Sequence, residues 1–168
     1  SFQFESQLNV QYAVGRIWFG RLADWSAYAV SVLRAEDETR PHAPRLAFFH
    51  PAHPGDPYTQ AVSSRMQELA WQAQSAGRFA EWQAETLAGP DANRAALAAL
   101  LAENPPNLAV IAGHGLVFPP GHKRQRGEQG GLVCADWPGP ASGAPPRAGQ
   151  CFLAGDIPAE ADLNGSVF

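Results

Sequence analysis

The chain has 168 residues and a formal net charge of −4, long enough to bury the core of one domain and without the basic excess that nucleic-acid binding asks for. Hydrophobic residues make up 45% of it, yet no apolar run approaches the ~20 residues a membrane-crossing helix needs. Charged residues are sparse at 17%, against a usual ~25%, and 16 glycines and 15 prolines fill the gap.

The first residues, SFQFESQLNV, contain no basic stretch followed by an apolar core. No secretion signal is therefore expected, which favours the cytoplasm while leaving the compartment open. Arg16–Phe19 reads as a short strand. Asp24 follows as a helix cap, its carboxylate suited to free N–H groups of a first turn. Trp25, Tyr28, Ala29, Val32 and Leu33 then fall at helical spacing, and the run dissolves in EDETRPHAP.

Arg45–Phe49 is an apolar run of strand length, closed by the prolines of HPAHPGDP. Pro57 suits the first turn of a helix because it has no N–H to leave unpaired. Val62, Met66, Leu69 and Ala73 mark that helix's apolar face, and Gly77 its end. Phe79–Leu87 alternates as a strand does, GPDAN makes a turn, and Asp91 is placed to cap ANRAALAALLAEN. Pro105 and Pro106 stop that helix, and Leu108–Ala112 is a third buried strand. Apolar strands alternating with helices predict an α/β fold, a parallel sheet sandwiched between helices in three layers. The final third, rich in Gly and Pro, reads as long loops holding two short apolar runs, GGLVCADW and QCFLAGD.

The third strand runs into Gly113-His114-Gly115. A histidine there stands on the carboxyl rim of the sheet, where α/β proteins build their sites. An imidazole can serve there as base or proton donor. Gly115 lets a substrate approach the backbone and can offer its N–H to a developing oxyanion. The plainer account is a strand-end histidine whose glycines serve a tight turn.

Cys134 and Cys151 show no metal-ligand spacing and lie in apolar surroundings, so burial is expected of both rather than nucleophilic chemistry. They are free to pair or not. His50, His53 and His122 lie in proline-broken loops that cannot present a regular ligand face, and no metal or cofactor is expected. Asp136 and Asp156 each follow an apolar run. Either can orient His114, hold a basic substrate side chain, or simply make a turn or cap. Trp137 suits a pocket wall or a core cover.

The segments VQYAVGRIWFG, WSAYAVSVLRAEDE, LAFFHPAH, VIAGHG, GGLVCADWPGP and FLAGDIPAEADLNGSVF, in that order, resemble the gingipain-like and caspase-like cysteine peptidases, a group that includes CHAT domains. The resemblance covers most of the chain. It implies residues 1–44 as an N-terminal strand and linking helix, and 45–168 as a catalytic subdomain incomplete at its C-terminus. It gives His114 the catalytic histidine role and the Gly115 N–H one side of an oxyanion hole, with Asp136, Trp137 and Asp156 as substrate-pocket residues. The family's nucleophilic cysteine follows the next core strand, and GSVF reads as that strand's first residues, so a piece of a longer protein is expected. By this reading the parent protein cleaves peptide bonds, and these residues alone are inactive. The implied partners are a peptide or protein substrate and the remainder of its own chain, with neither nucleic acid nor membrane. The alternative is a noncatalytic ligand- or protein-binding module on the same fold. A flavodoxin-like or response-regulator-like domain shares the alternation, but HPAHPGDP offers no convincing phosphate cradle.

Overall fold

A computed structural model describes residues 19–37, 43–75, 79–163 and 165–168. The chain divides into two compact units, Ser1–Asp37 and Glu38–Phe168. Within the first, helix α1 spans Leu22–Asp37. Its start differs from expectation: Asp24 lies inside the first turn and binds the Arg21 guanidinium at 2.7 and 3.0 Å. Trp25 donates its indole N–H to the Phe19 carbonyl. Most of the strand expected at Arg16–Phe19 falls outside the described residues, as does Gly77.

The second unit is mixed α/β, built on a three-stranded parallel sheet of β1 (Arg45–His50), β2 (Gln83–Ala88) and β3 (Leu108–Ile111). The order is β2-β1-β3. Leu46 pairs with Ala84 on one side and Leu108 on the other. Outside β3, Val167 forms one parallel bridge to Leu108. Its N–H donates to the Asn107 carbonyl and its carbonyl accepts from the Ala109 N–H.

Central β1 is buried on both faces, which explains its unbroken apolar run. Leu46 and Phe48 point to helix α2 (Pro57–Ser75) and pack on Met66 and Ala70. Ala47 and Phe49 face the other way, onto Leu97, Leu100 and Leu101 of helix α3 (Arg94–Glu103). Each such large side chain withdrawn from water contributes ~1.5–3 kcal/mol. On α2 the buried stripe is Thr59, Ser63, Met66 and Ala70. Of the expected face, Val62 and Ala73 pack at its margin and Leu69 is exposed at 39%.

Two expectations shift for local reasons. The strand expected from Phe79 begins only at Gln83. Residues 79–82 turn instead, with the Trp82 N–H on the Phe79 carbonyl and the two rings edge to face at 5.0 Å. Asn93, not Asp91, caps α3, its Oδ1 accepting from the Ala96 N–H at 2.9 Å. Asp91 closes a single 3-10 turn, Gly89–Asp91.

Past β3 the chain makes a four-residue helix α4 (Gln125–Glu128) and an antiparallel pair, β4 (Leu132–Val133) with β5 (Cys151–Phe152). The loop-rich third therefore has a small core of its own: Leu116, Val133, Trp137 and Cys151, edged by Phe118 and Leu153.

Candidate functional site

The site forms where β1 and β3 leave the sheet side by side. β1 ends on His50, and the loop from 51 to 56 folds over the carboxyl rim before α2 begins. Asp56 is the N-cap of α2. Its Oδ1 accepts from the N–H groups of Tyr58 at 3.1 Å and Thr59 at 3.4 Å, meeting two of the donors a first turn leaves open. The other oxygen, Oδ2, lies 2.5 Å from His114 Nε2. The Asp56 side chain is 11% exposed and that of His114 is 40% exposed.

His114 is held from both directions. Before it, the Ala112 N–H donates to the Phe49 carbonyl, extending the β1–β3 pairing. Gly113 lies against the Pro51 ring, where a Cβ would come within 3.3 Å of Cγ. After it, the Val133 N–H donates to the His114 carbonyl and the Leu116 N–H to the Gly131 carbonyl. Gly115 faces Leu132 in a non-hydrogen-bonded antiparallel bridge. Its own N–H and C=O therefore point away from β4. Neither a positive φ nor crowding demands glycine at 115: the nearest atom to an added Cβ is 3.9 Å away.

An ionised carboxylate only accepts hydrogen bonds, so His114 presents Nε2–H to Asp56, and in the neutral ring the lone pair lies on Nδ1. Among the described residues Nδ1 has no hydrogen-bond partner. Burial pushes the Asp56 carboxyl upward, but the bonds from His114 and Thr59 outweigh it and hold the group below its ordinary value. The pair is thus poised as a carboxylate supporting an imidazole, able to stabilise an imidazolium when Nδ1 takes a proton.

Aromatic rings surround it. Tyr58, largely in solvent, lies 5.7 Å from the imidazole at 23°. Trp137 stands at 6.4 Å and 72°, and His53 at 6.2 Å and nearly parallel. His53 is buried, with Nδ1 3.1 Å from the Trp137 carbonyl. A carbonyl only accepts, so Nδ1 carries the proton, and Nε2 is a buried nitrogen without a partner among the described residues. Burial lowers the His53 pKa against that bond, and nearby His114 lowers it further. His50 is equally buried, lowered by desolvation, with Nδ1 2.8 Å from Ser63 Oγ.

Of the expected pocket residues, Trp137 adjoins His114 and the two aspartates do not. Asp136 Oδ2 accepts from the Arg94 N–H at 2.8 Å at the start of α3. Asp156 forms an ion pair with the Arg94 guanidinium and accepts from the Leu153 N–H. Its pKa is lowered, chiefly by that guanidinium. Both therefore brace the loop region onto α3. The carboxylate on His114 is Asp56, which sequence reading passed over as part of a proline-rich turn. Its signal was there: an acidic residue directly before Pro57 at a helix start, in the loop leaving the strand adjacent to the histidine's own.

The cysteines are free and fully buried. Burial pushes Cys134 up to about 12 and raises Cys151 as well, so neither supplies a thiolate near neutrality. Among the described residues no cluster of three or more His, Cys, Asp or Glu could hold a metal ion. Two surface grooves lie elsewhere, one of about 320 Å³ at the amino end of the sheet and an apolar one of about 380 Å³ between α3, Ile111 and Phe168. Neither includes His114. Comparison with known protein families, with curated proteins and with solved structures finds no match.

Proposed function

We propose that this chain carries the histidine half of a cysteine endopeptidase of the gingipain-like and caspase-like kind, the thiol coming from a core strand that continues from Val167. The observation that carries this reading is the His114–Asp56 pair: Nε2 occupied by a buried carboxylate, Nδ1 open, and the ring partly exposed at the sheet's carboxyl rim. Two further features support it. Val167 is in parallel register on the outer side of β3, and a strand continuing in that register would bring the residue about five positions past Phe168 level with His114. The apolar groove beside Ile111 and Phe168 suits the underside of such a strand.

In the reaction His114 Nδ1 takes the thiol proton and the sulfur attacks the scissile carbonyl carbon. The carbonyl electrons move to oxygen, which lies against backbone N–H groups that include Gly115. The tetrahedral species collapses as the C–N bond breaks, and His114 returns the proton to the leaving amine. Water, deprotonated by the same imidazole, then releases the thioester as an acid. Asp56 keeps its negative charge throughout and steadies the imidazolium. Gly115 fits this account because nothing in its own surroundings requires it to be glycine, so the close approach it permits belongs to the substrate.

The test is to express the chain with the sequence that follows Phe168 and to compare it with its His114→Ala variant on a pooled peptide library. Cleavage by the first and none by the second is expected. Equal cleavage, or an extension without a cysteine near the carboxyl rim, overturns the proposal in favour of a binding module.

A further inference from the structure

The loop from 117 to 129 leaves the sheet two residues after Gly115 and returns to it at Gly130, whose N–H donates to the Leu116 carbonyl. Its sequence is VFPPGHKRQRGEQ. Three cations, Lys123, Arg124 and Arg126, stand against one anion, Glu128, giving the loop a formal +2 in a chain of −4.

The loop is braced from within. Gln129 Oε1 accepts from the Phe118 N–H and Gln125 Oε1 from the Gly121 N–H. The Phe118 ring stacks on His122 at 5.0 Å and lies 4.9 Å beneath the Arg124 guanidinium. Arg124 also binds Glu128 through two bonds, at 2.8 and 2.6 Å. Arg124 is thus spent inside the loop. Lys123 and Arg126 are exposed and have no ion pair among the described residues. The fold spends one cation to stiffen the loop and displays the other two.

We propose that this loop is a docking surface for an acidic peptide segment, whether or not His114 is catalytic. Three arguments lead there. The loop that displays the charges leaves the chain just past Gly115 and closes on Leu116 through the Gly130 N–H, so a segment held by it is anchored to the histidine's own strand. The brace removes much of the ordering cost that flexible loops incur on binding. Finally, the rest of the chain is net negative, which disfavours an extended polyanion but leaves a short acidic segment free to engage the loop alone.

The test uses the chain in its His114→Ala form, so that no cleavage intervenes and binding is read apart from catalysis. A fluorescein-labelled hexaglutamate peptide is titrated by anisotropy at low and at high salt, beside a hexaglutamine peptide. Saturable binding of the acidic peptide alone is expected, weakened by salt, and roughly tenfold weaker in Lys123→Glu/Arg126→Glu. An unchanged urea midpoint in that variant shows that the fold is intact. Equal binding by both forms, or tighter binding of a single-stranded oligonucleotide than of the peptide, overturns the inference. Retained peptide binding with no cleavage by the extended wild-type chain would separate a docking surface from the peptidase reading and refute the latter alone.

Discussion

Asp56→Asn should move a proton across His114 while leaving the helix start intact. The carboxylate does two tasks with two oxygens: Oδ1 caps α2 through Tyr58 and Thr59, and Oδ2 accepts from His114 Nε2–H. An asparagine that keeps its single oxygen on the cap must turn its amide nitrogen toward the imidazole. That nitrogen only donates, so Nε2 must become the acceptor and the ring proton must shift to Nδ1. The stability change follows from the same geometry. Hydrogen bonds to charged groups contribute ~1.5–3 kcal/mol. With the His114 side chain 40% exposed, screening brings the loss to about 1 kcal/mol. Asp56→Ala also removes the cap and should lose about 1 kcal/mol more. Two-bond nitrogen–proton correlation spectra of the imidazoles read the tautomer, and urea unfolding reads the stability. The acid limb adds a check. Because the folded state holds Asp56 below its ordinary value, its contribution is complete above the unfolded value of ~3.9 and is lost as pH falls through the folded one. Asp56→Asn should lack that loss. A variant in which His114 keeps its proton on Nε2 at unchanged stability would refute the argument.

Gly139→Ala should destabilise the chain by roughly 2–4 kcal/mol in urea unfolding, because φ is 89° and a Cβ would fall 2.3 Å from the Pro54 carbonyl oxygen. An effect below 1 kcal/mol would show that the Trp137 loop and the loop carrying Asp56 are not packed as described. His50→Leu should flatten the pH dependence of stability below about pH 6.5. A buried imidazole with a lowered pKa favours folding above the unfolded ~6.5, and that contribution fades as pH drops from there toward the folded value. An unchanged slope counts against it. Neither Cys134 nor Cys151 should react with iodoacetamide at pH 8 in the folded chain. With the Cys134 pKa at about 12 only ~10⁻⁴ of it is thiolate, and mass spectrometry of labelled protein decides the point.

The core architecture could be read from sequence because burial on two faces leaves a plain mark. Leu46–Phe49 and Leu108–Ile111 are continuous apolar runs, and the prolines at 57, 105 and 106 bound the helices. Edges were harder. Phe79–Trp82 alternates like a strand but turns, because a ring pair and one backbone bond satisfy it locally. Caps slipped for a similar reason: Asp91 and Asn93 are both good cap residues two positions apart, and only the 3-10 turn over Gly89–Asp91 decides between them. At the site, His114 announced itself through its glycines. Its carboxylate did not, since Asp56 lies 58 residues earlier and becomes a neighbour only because β1 and β3 are adjacent. The aspartates nearer in sequence, Asp136 and Asp156, are claimed by Arg94, a pairing that local pattern does not reveal.

The strand that launches the Asp56 loop is also the one with neighbours on every side. β1 sits between two strands and two helices, so its amides should be among the last in the unit to exchange with deuterium. Whatever reaches this rim meets a floor as stiff as the domain itself, and adaptability must come from the visitor.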